Sequence, residues 1–278
     1  MSNRVWFITG ASRGLGREWA IAALERGDRV AAAARDLAAL TSLRDTFGEA
    51  IEPIRLDVTD RAACFDSVRT AVARFGRLDV LVNNAGYGQY GFVEELSESE
   101  ARAQMDTNFF GALWTTQAAL PYLRTHGSGH IVQVSSIGGV TAFPNLSIYH
   151  ASKWALEGMS QALAAEVAPF GVKVTIVEPG GYATDWITAA PQARSLAAYA
   201  EQRVDFEAAR RARRTDLGDP SAARSAILEI VDASDTPLRV FLGKHALDYA
   251  KADYAQRLAE WQRWQPFAIR AHGGNAQL

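Results

Sequence analysis

The sequence predicts an α/β protein built on a doubly wound parallel sheet of about seven strands, with helices on both faces. Three observations support this fold class. Short apolar runs alternate with longer amphipathic segments along most of the chain. A glycine-rich turn joins the first apolar run to the first amphipathic segment. No linker-like stretch interrupts the alternation, so we expect one domain over residues 1–278, with a core over 3–243 and a helical tail over 244–278.

Composition and charge narrow the possible functions. Hydrophobic residues make up 48% of the chain, which is enough for a large core. The net charge of −2 gives no electrostatic argument for binding nucleic acid or an anionic membrane. The single cysteine, Cys64, excludes an intrachain disulfide and a cysteine-rich metal site, and we predict no metal. Because we find neither a leader-like start nor an apolar run near the roughly 18 residues of a membrane span, we expect a cytoplasmic protein.

The first predicted strand, Val5–Thr9, leads into a turn that contains Gly10, Gly14 and Gly16 and then into a helix. This order directs free backbone N–H groups and the positive end of the helix at one point. Glycine lets a ligand approach the backbone there. We therefore predict a phosphate-binding turn, with a tight turn that holds no ligand as the alternative.

The second predicted strand, Arg29–Ala34, is followed by Arg35, and the next acid is Asp36. In dinucleotide-binding folds an acid at this place binds the 2′-hydroxyl of the adenosine ribose, whereas an arginine accommodates a 2′-phosphate. Arg13 in the glycine turn adds a second guanidinium. These residues favour NADP(H) over NAD(H), with solvated surface arginines as the alternative.

The next two predicted strands also end in residues suited to a cofactor. The strand Ile51–Leu56 is followed by Asp57, which either meets the adenine amino group or caps the next helix. The strand Leu78–Val82 is followed by Asn83–Gly86, small and amide residues that let a cofactor pack against the backbone. Both sites lie at the carboxyl ends of strands, where ligands bind in sheets of this kind.

A capping box over residues 97–100 begins a long predicted helix, which carries Asn108 among apolar residues. A mid-helix asparagine tends to bond to the nearby backbone and to distort the helix. Asn108 is therefore either a satisfied polar core residue or a holder of water for proton transfer.

The fifth predicted strand, His130–Ser135, leads to Ser136 and then to a helix that carries Tyr149 and Lys153. Residues four apart share one face of a helix, so these two side chains are neighbours. A fixed ammonium favours the phenolate, and we expect Lys153 to lower the pKa of Tyr149 from about 10 toward neutral pH. Ser136 would offer its hydroxyl to a substrate oxygen. The alternative is a surface helix with an ordinary tyrosine and lysine.

The last third of the chain adds a less regular segment. After the sixth strand, Lys173–Glu178, residues 185–218 are irregularly helical and are expected to cover the substrate site. Four arginines in this segment either grip an anionic substrate or form a solvated helix end, and we favour the helix end. They are Arg210, Arg211, Arg213 and Arg214.

Together these motifs resemble the short-chain dehydrogenase/reductase family, a Rossmann-type fold, over about residues 3–243. The matching motifs are Thr9 to Gly16 (TGASRGLG), Asn83 to Gly86 (NNAG), Asn108, Ser136, Tyr149-x-x-x-Lys153 and Pro179-Gly180 with Thr184. The resemblance implies a catalytic tetrad of Asn108, Ser136, Tyr149 and Lys153. It also implies a cofactor site that contains Tyr149, Lys153, Gly10, Ser12, Arg13, Gly14, Leu15, Gly16, Arg35, Asp57, Val58, Asn84, Ala85, Gly86, Pro179, Gly180, Tyr182 and Thr184.

By the same resemblance the protein is an NADP(H)-dependent alcohol dehydrogenase or carbonyl reductase. It would interconvert a secondary alcohol and a ketone, or an aldehyde, with Tyr149 as the general acid and base. The expected substrate pocket is rich in aromatic residues, which favours an apolar or ring-bearing substrate. It contains Tyr87, Gln89, Tyr90, Phe92, Ser136, Gly138, Phe143, Tyr149, Tyr182 and Trp186. Two alternatives stay open: a non-catalytic NADP(H)-binding sensor or scaffold, and a sugar epimerase or dehydratase.

Two features depart from the family pattern. A bulky His150 follows the tyrosine, and about 35 residues follow the last predicted strand, Arg239–Leu242. In this tail a partly apolar stripe is either a packing face or a subunit contact; it consists of Tyr254, Leu258, Trp261 and Gln265. We expect a homodimer or a homotetramer. Because the last strand lies at a subunit interface in tetrameric members, the tail argues against the usual tetramer.

Overall fold

A computed structural model describes residues 3–213 and 216–273 and omits the side chains of residues 187, 188 and 213. Within these residues seven parallel strands form one sheet, which confirms the predicted α/β architecture. The strands are β1 (Val5–Thr9), β2 (Arg29–Ala34), β3 (Ile51–Arg55), β4 (Val80–Asn83), β5 (Gly129–Val134), β6 (Val172–Pro179) and β7 (Arg239–Leu242). Their order across the sheet is β3-β2-β1-β4-β5-β6-β7.

Helices cover both faces of this sheet. In the described part of the chain they are α1 (Gly14–Glu25), α2 (Thr41–Phe47), α3 (Arg61–Phe75), α4 (Glu98–Met105), α5 (Gly111–His126), α6 (Ser147–Val167), α7 (Trp186–Ala189), α8 (Ala200–Arg213), α9 (Ala223–Asp232) and α10 (Ala246–Ala271). Alternate residues of a strand point to opposite faces. On β1, Trp6 and Ile8 pack with α1 and α9, whereas Val5 and Phe7 pack with α3, α5 and α6. Burial on both faces explains why the strands are almost continuously apolar.

The direction in which strands are added to the sheet reverses between β1 and β4. The strands β2 and β3 lie on one side of β1, and β4 to β7 lie on the other. At this switch the hydroxyl of Thr9 accepts hydrogen bonds from the backbone N–H groups of Asn84 and Ala85, both at 3.0 Å. The carboxyl ends of β1 and β4 therefore form the crevice in which such sheets bind ligands.

A π-helical turn, Asp106–Phe110, separates α4 from α5 where the sequence predicted one long helix. The capping box at its start is confirmed, since Ser97 and Glu100 each bond the other's backbone N–H. Turns of this type are frequent at functional sites. Here the turn carries Asn108, whose side chain faces the interior and is 1% exposed.

The helix α3 carries the only cysteine of the chain on its inner face. Cys64 is fully buried, and its Sγ lies 3.4 Å from the carbonyl oxygen of Val58. Burial, with the nearby charges of Asp60 and Asp57, raises the pKa of the Cys64 thiol to about 12. The thiol is therefore held in its unreactive, protonated form.

The tail forms α10, and only its first turns pack on the body of the protein. Ala246 and Ala250 are buried, whereas Leu258 and Trp261 are 50% and 58% exposed. The prediction that the stripe of Tyr254, Leu258, Trp261 and Gln265 packs against the rest of the chain is therefore wrong for the described residues. That the stripe forms a subunit contact stays a prediction. No helix among the described residues is long and apolar enough to cross a membrane.

Candidate active site

An elongated cavity of about 1380 Å³ runs along the carboxyl end of the sheet. It begins at the glycine turn, passes Tyr149 and Lys153, and ends against residues in the ranges 185–212 and 216–218. All residues of the implied tetrad, cofactor site and substrate pocket line this cavity except Gly16, Asn108, Gln89 and Phe92. The sequence motifs, which are far apart in the chain, thus meet around one space.

The glycine turn is shaped for close approach of a phosphate. Gly10 and Gly14 have φ angles of +65° and +57°, in the left-handed region that favours glycine. A Cβ on Gly16 would lie 2.3 Å from the amide nitrogen of Asn84, which donates hydrogen bonds to the carbonyl oxygens of Thr9 and Gly10. Asn84 therefore also braces the turn. Helix α1 has no side-chain cap among the described residues, so its first N–H groups suit a pyrophosphate.

Two arginines lie at the end of the cavity where the 2′-phosphate is predicted. Arg13 and Arg35 are exposed at the cavity, and their guanidinium groups have no hydrogen-bond or ion-pair partner among the described residues. The carboxylate of Asp36 accepts the backbone N–H of Ala38 at 2.9 Å. This end therefore offers two guanidiniums without partners, and the first acid after β2, Asp36, is engaged in its own turn.

Asp57 lines the cavity but does not cap the next helix. Its carboxylate accepts from the N–H and the hydroxyl of Thr59, at 3.0 and 2.8 Å. Asp60 caps α3 instead, accepting from the N–H of Ala63 at 3.0 Å. The capping alternative for Asp57 was therefore wrong, and its contact with adenine stays a prediction.

Tyr149 is buried beside Ser136 at the centre of the cavity. The hydroxyl of Ser136 lies beside Tyr149 and accepts the N–H of Gly138 at 3.0 Å. Burial raises the pKa of Tyr149 to about 12, although the hydrogen bond from Ser136 acts in the opposite direction. Two hydroxyls are thus presented together in a largely water-free position.

Lys153 does not lower the pKa of Tyr149 in this structure, and that expectation was wrong. Its ammonium donates to the carbonyl oxygen of Val134 at 2.7 Å and lies 6.0 Å from the centroid of the Tyr149 ring. Burial lowers the pKa of Lys153 itself to about 8, opposed by the charge of Glu157. Desolvation of both groups outweighs their attraction across this distance.

The side chain of Asn108 is fully committed to protein groups. Its Oδ1 accepts the N–H of Tyr87 at 3.1 Å, and its Nδ2 donates to the carbonyl of Tyr87 and the hydroxyl of Ser152 at 2.9 and 3.0 Å. Of the two predicted roles for Asn108, a satisfied polar core residue or a holder of water, the structure shows the first. It fixes the loop that bears Tyr87 against α6, and its part in proton transfer stays a prediction.

Aromatic rings form the walls of the substrate end. The ring of Trp186 lies 5.2 Å from that of Tyr149 and 6.5 Å from that of Tyr90, between centroids. Two residues of the wider predicted pocket do not line the cavity. Gln89 is buried and its N–H bonds Gln104, whereas Phe92 stacks on Tyr199. The remaining wall agrees with the aromatic pocket that the sequence predicts.

His150 turns out to support this wall. Its Nδ1 bonds the carbonyl oxygen of Gly138 at 2.8 Å, and its Nε2 accepts the N–H of Phe143 at 2.9 Å. Burial lowers the pKa of His150, so the ring is neutral with its proton on Nδ1. Both bonded residues line the cavity. His150, the residue that departs from the family pattern, therefore connects Gly138 and Phe143 in the wall of the expected substrate pocket.

A buried carboxylate that sequence reasoning missed anchors residues 185–218. The carboxylate of Glu95 bonds Arg203 and accepts the N–H of Leu196 at 2.8 Å and of Phe92 at 3.0 Å. Burial would raise its pKa, but these partners outweigh burial and hold the pKa of Glu95 below its usual value. The only sequence signal was an acid near apolar residues, which does not identify partners about 100 residues away.

A second missed group lies behind Lys153. Glu157, one helical turn further along α6, lies 3.0 Å from Arg239, and Glu178 at the end of β6 lies 3.5 Å from the same guanidinium. Burial, followed by the charge of Glu157, raises the pKa of Glu178 to about 8. An acid within the apolar run of β6 was the available signal. Lys153 therefore has a pair of buried acids on its inner side, and its predicted catalytic role stays a prediction.

The favoured interpretation of the arginine cluster was wrong for one member. Arg210 lines the cavity, and its side chain is only 18% exposed. Arg211 is exposed, as expected of a solvated helix end. The side chain of Arg213 and the whole of Arg214 lie outside the described residues.

The chain is similar to known oxidoreductases over nearly its whole length. The family model described as short chain dehydrogenase matches residues 4–195. The oxidoreductase BOA17 of Botryotinia fuckeliana (strain B05.10) is 39% identical over 269 residues, which are 96% of this chain and 98% of that protein. A short-chain dehydrogenase from Streptomyces avermitilis has a crystal structure with a TM-score of 0.90 and 41% identity, covering 96% of this chain and 99% of that one. A short chain dehydrogenase from Burkholderia cenocepacia J2315 in complex with NADP has a TM-score of 0.74 and 28% identity, covering 95% and 98%.

Proposed function

This chain is an oxidoreductase of the short-chain dehydrogenase family, and we propose that it uses NADP(H) to interconvert an alcohol and a ketone or aldehyde. The observation that carries the proposal is the cavity that joins the glycine turn to the paired hydroxyls of Tyr149 and Ser136. The nicotinamide cofactor, when bound, supplies or accepts the hydride. The protein must then bind the substrate oxygen and move one proton.

Ser136 and Tyr149 perform these two tasks in the proposed mechanism. In reduction Tyr149 donates its proton to the substrate oxygen as negative charge develops there, and Ser136 donates a hydrogen bond to the same atom. In oxidation the proton moves in the opposite direction. Because burial raises the pKa of Tyr149 to about 12, the phenolate needs a stabilising positive charge, and Lys153 is the buried cation available for it.

Residues 185–218 close the substrate end in this proposal. Trp186 contacts Tyr149, and Pro191 and Ala193 bond the backbone of Tyr90 at 2.9 and 2.8 Å. A closed aromatic chamber excludes water from the reacting groups and strengthens their electrostatic interactions. It favours apolar or ring-bearing substrates, and a panel in which polyols outperform cyclic or aromatic ketones would contradict this substrate class.

The direct test of the reaction is Tyr149→Phe, which keeps the ring and removes the transferable proton. We expect turnover with NADPH to fall by about 100-fold or more on every active ketone, the range of general acid–base catalysis. NADPH binding should persist, since the glycine turn is untouched. Tyr254→Phe, in the exposed tail, is the matched control. Undiminished turnover in Tyr149→Phe would refute the assignment.

The cofactor preference rests on Arg13 and Arg35, which have no partner among the described residues. The structure of the Burkholderia relative contains NADP, which is consistent with this proposal. We expect Arg35→Asp to reverse the ratio of kcat/KM between NADPH and NADH, because a carboxylate repels the 2′-phosphate and accepts from a 2′-hydroxyl. Arg55→Asp, at the exposed end of the neighbouring strand, is a control for added charge. A wild-type preference for NADH of tenfold or more would contradict the proposal.

A further inference from the structure

The side chain of Arg210 is a largely buried cation in the wall of the substrate cavity. It projects from α8, and one of its terminal nitrogens lies 3.3 Å from Glu207, three residues earlier, whose own side chain is 34% exposed. Its Nε is buried and has no hydrogen-bond partner among the described residues. A guanidinium carries five N–H donors. Arg210 therefore lines the cavity with most of its N–H donors lacking a hydrogen-bond partner among the described residues.

Ring contacts place Arg210 in the same chamber as the reacting hydroxyl. Its Cζ lies 5.0 Å from the centroid of the Tyr90 ring. Tyr90 in turn contacts Trp186, and Trp186 contacts Tyr149. Arg210 and Tyr149 thus belong to one aromatic-walled space, with two ring side chains between them. A substrate in this cavity can therefore meet both Tyr149 and Arg210.

The chemistry of a guanidinium selects what binds there. Leaving a buried donor unpaired is costly, and the cost is greater for a charged group. Arginine presents its donors as a planar fork that matches a carboxylate in bidentate geometry. Two lysines also line the cavity, but Lys153 is bonded to the carbonyl of Val134 and Lys244 to the carboxylate of Asp216. Arg210 is therefore the group best suited to meet an anion from the substrate.

We propose that Arg210 binds a carboxylate carried by the substrate, so that the enzyme acts on a ring-bearing ketone or alcohol with an acid group remote from the reacting carbon. This inference rests on the proposed function. A purely structural role for Arg210 is to hold α8 against Tyr90 through the cation–π contact. The two roles differ in one respect, since only carboxylate binding depends on the charge of the substrate.

The kinetic test uses a pair of ketones that differ in charge, 4-acetylbenzoate and its methyl ester. In Arg210→Gln we expect kcat/KM to fall by about 10- to 100-fold for the acid, the effect of a hydrogen bond to a charged group, and by less than about twofold for the ester. Arg211→Gln, which changes an exposed neighbour on the same helix, should affect neither. An equal loss for both ketones, or a wild-type enzyme that does not prefer the acid, would overturn the proposal.

A binding measurement separates this proposal from the proposed reaction. Calorimetry with 4-isopropylbenzoate and the neutral 4-isopropylbenzamide, which carry no ketone, reports affinity without turnover. We expect the wild type to bind the acid more tightly, and Arg210→Gln to lose that difference while Arg211→Gln keeps it. If this holds while no ketone is reduced, the carboxylate site stands and the reaction fails. Equal affinity of the wild type for acid and amide would overturn the carboxylate site even if ketones are reduced.

Discussion

The carboxyl group of Glu178 is a buried acid beside a second acid, and it titrates far from the range of an exposed glutamate. Burial and the charge of Glu157 raise its pKa from 4.5 to about 8. Between these two pH values the folded protein keeps a proton that the unfolded chain has released. The contribution of this group to the free energy of unfolding is therefore full below pH 4.5 and is lost as the pH rises toward 8.

Glu178→Gln tests this residue-scale account, because glutamine stays neutral at every pH. We expect the variant to lose less stability than the wild type as the pH rises from 4.5 to about 8, as measured by chemical unfolding at each pH. Glu166→Gln removes an exposed carboxylate from α6, the helix that carries Glu157, and should keep the wild-type slope. Identical slopes for Glu178→Gln and the wild type would show that Glu178 is already ionised in the folded protein.

Residue spacing predicted which side chains of the site lie close together, but it did not predict their pKa values. The four-residue interval placed Tyr149 and Lys153 on one helix face, and Ser136 joined them at the end of β5. The pKa shifts depend on burial and on partners such as Val134 and Glu157 that no local pattern relates to the motif. Charge energetics are therefore a property of the packed interior rather than of the motif.

At the scale of elements, the position of residues 185–218 depends on the anchor at Glu95. Glu95→Gln should loosen this segment, because an amide removes the charge that pairs with Arg203 and leaves fewer acceptor sites for the N–H groups of Leu196 and Phe92. We expect faster amide hydrogen exchange over 196–203 by about 10-fold or more and a higher KM.

The neighbouring Glu94→Gln is the control for this variant, since Glu94 is exposed and its bond from Tyr199 survives in an amide. Because partners hold the pKa of Glu95 low, the wild-type anchor is complete above the ordinary glutamate range and fails as the pH drops through the folded-state pKa. Unchanged exchange over 196–203 in Glu95→Gln would mean that aromatic packing alone holds the segment.

Strands and most helices were predictable because their periodic apolar patterns are local. The exceptions have identifiable causes. Asn108 bonds Tyr87 and Ser152 within a π-helical turn, and the long helix predicted from the capping box is broken there. The sequence predicted that Arg210 belongs to a solvated helix end, because charge alone does not show which face of α8 packs against the protein. Long-range contacts decided both cases.

For the molecule as a whole, the tail divides into a packed start and an exposed remainder. Ending the chain after Arg257 removes described residues that are exposed or half-buried, so we expect the melting temperature to stay within about 2 °C and KM to change little. Ending it after His245 also removes buried Ala246 and Ala250, and Tyr249 from its contact with Phe143. That shorter chain should melt several degrees lower and bind substrate more weakly.

Light scattering on the same two chains addresses the predicted homodimer or homotetramer. A loss of assembly mass on ending the chain after Arg257 would support the exposed stripe of α10 as a subunit contact. If that cut instead lowered the melting temperature as much as the deeper one, with no change of mass, the division of the tail would be incorrect.

The buried thiol of Cys64 is a natural probe of local opening in this protein. A maleimide or a disulfide reagent reaches the sulfur only when α3 lifts from the sheet, since the side chain is fully enclosed and its pKa is about 12. Val58, whose carbonyl the thiol touches, also lines the cavity where adenine is expected to bind. The labelling rate of this sulfur would therefore report how often α3 separates from the sheet near the expected nucleotide site. A bound dinucleotide should slow the labelling.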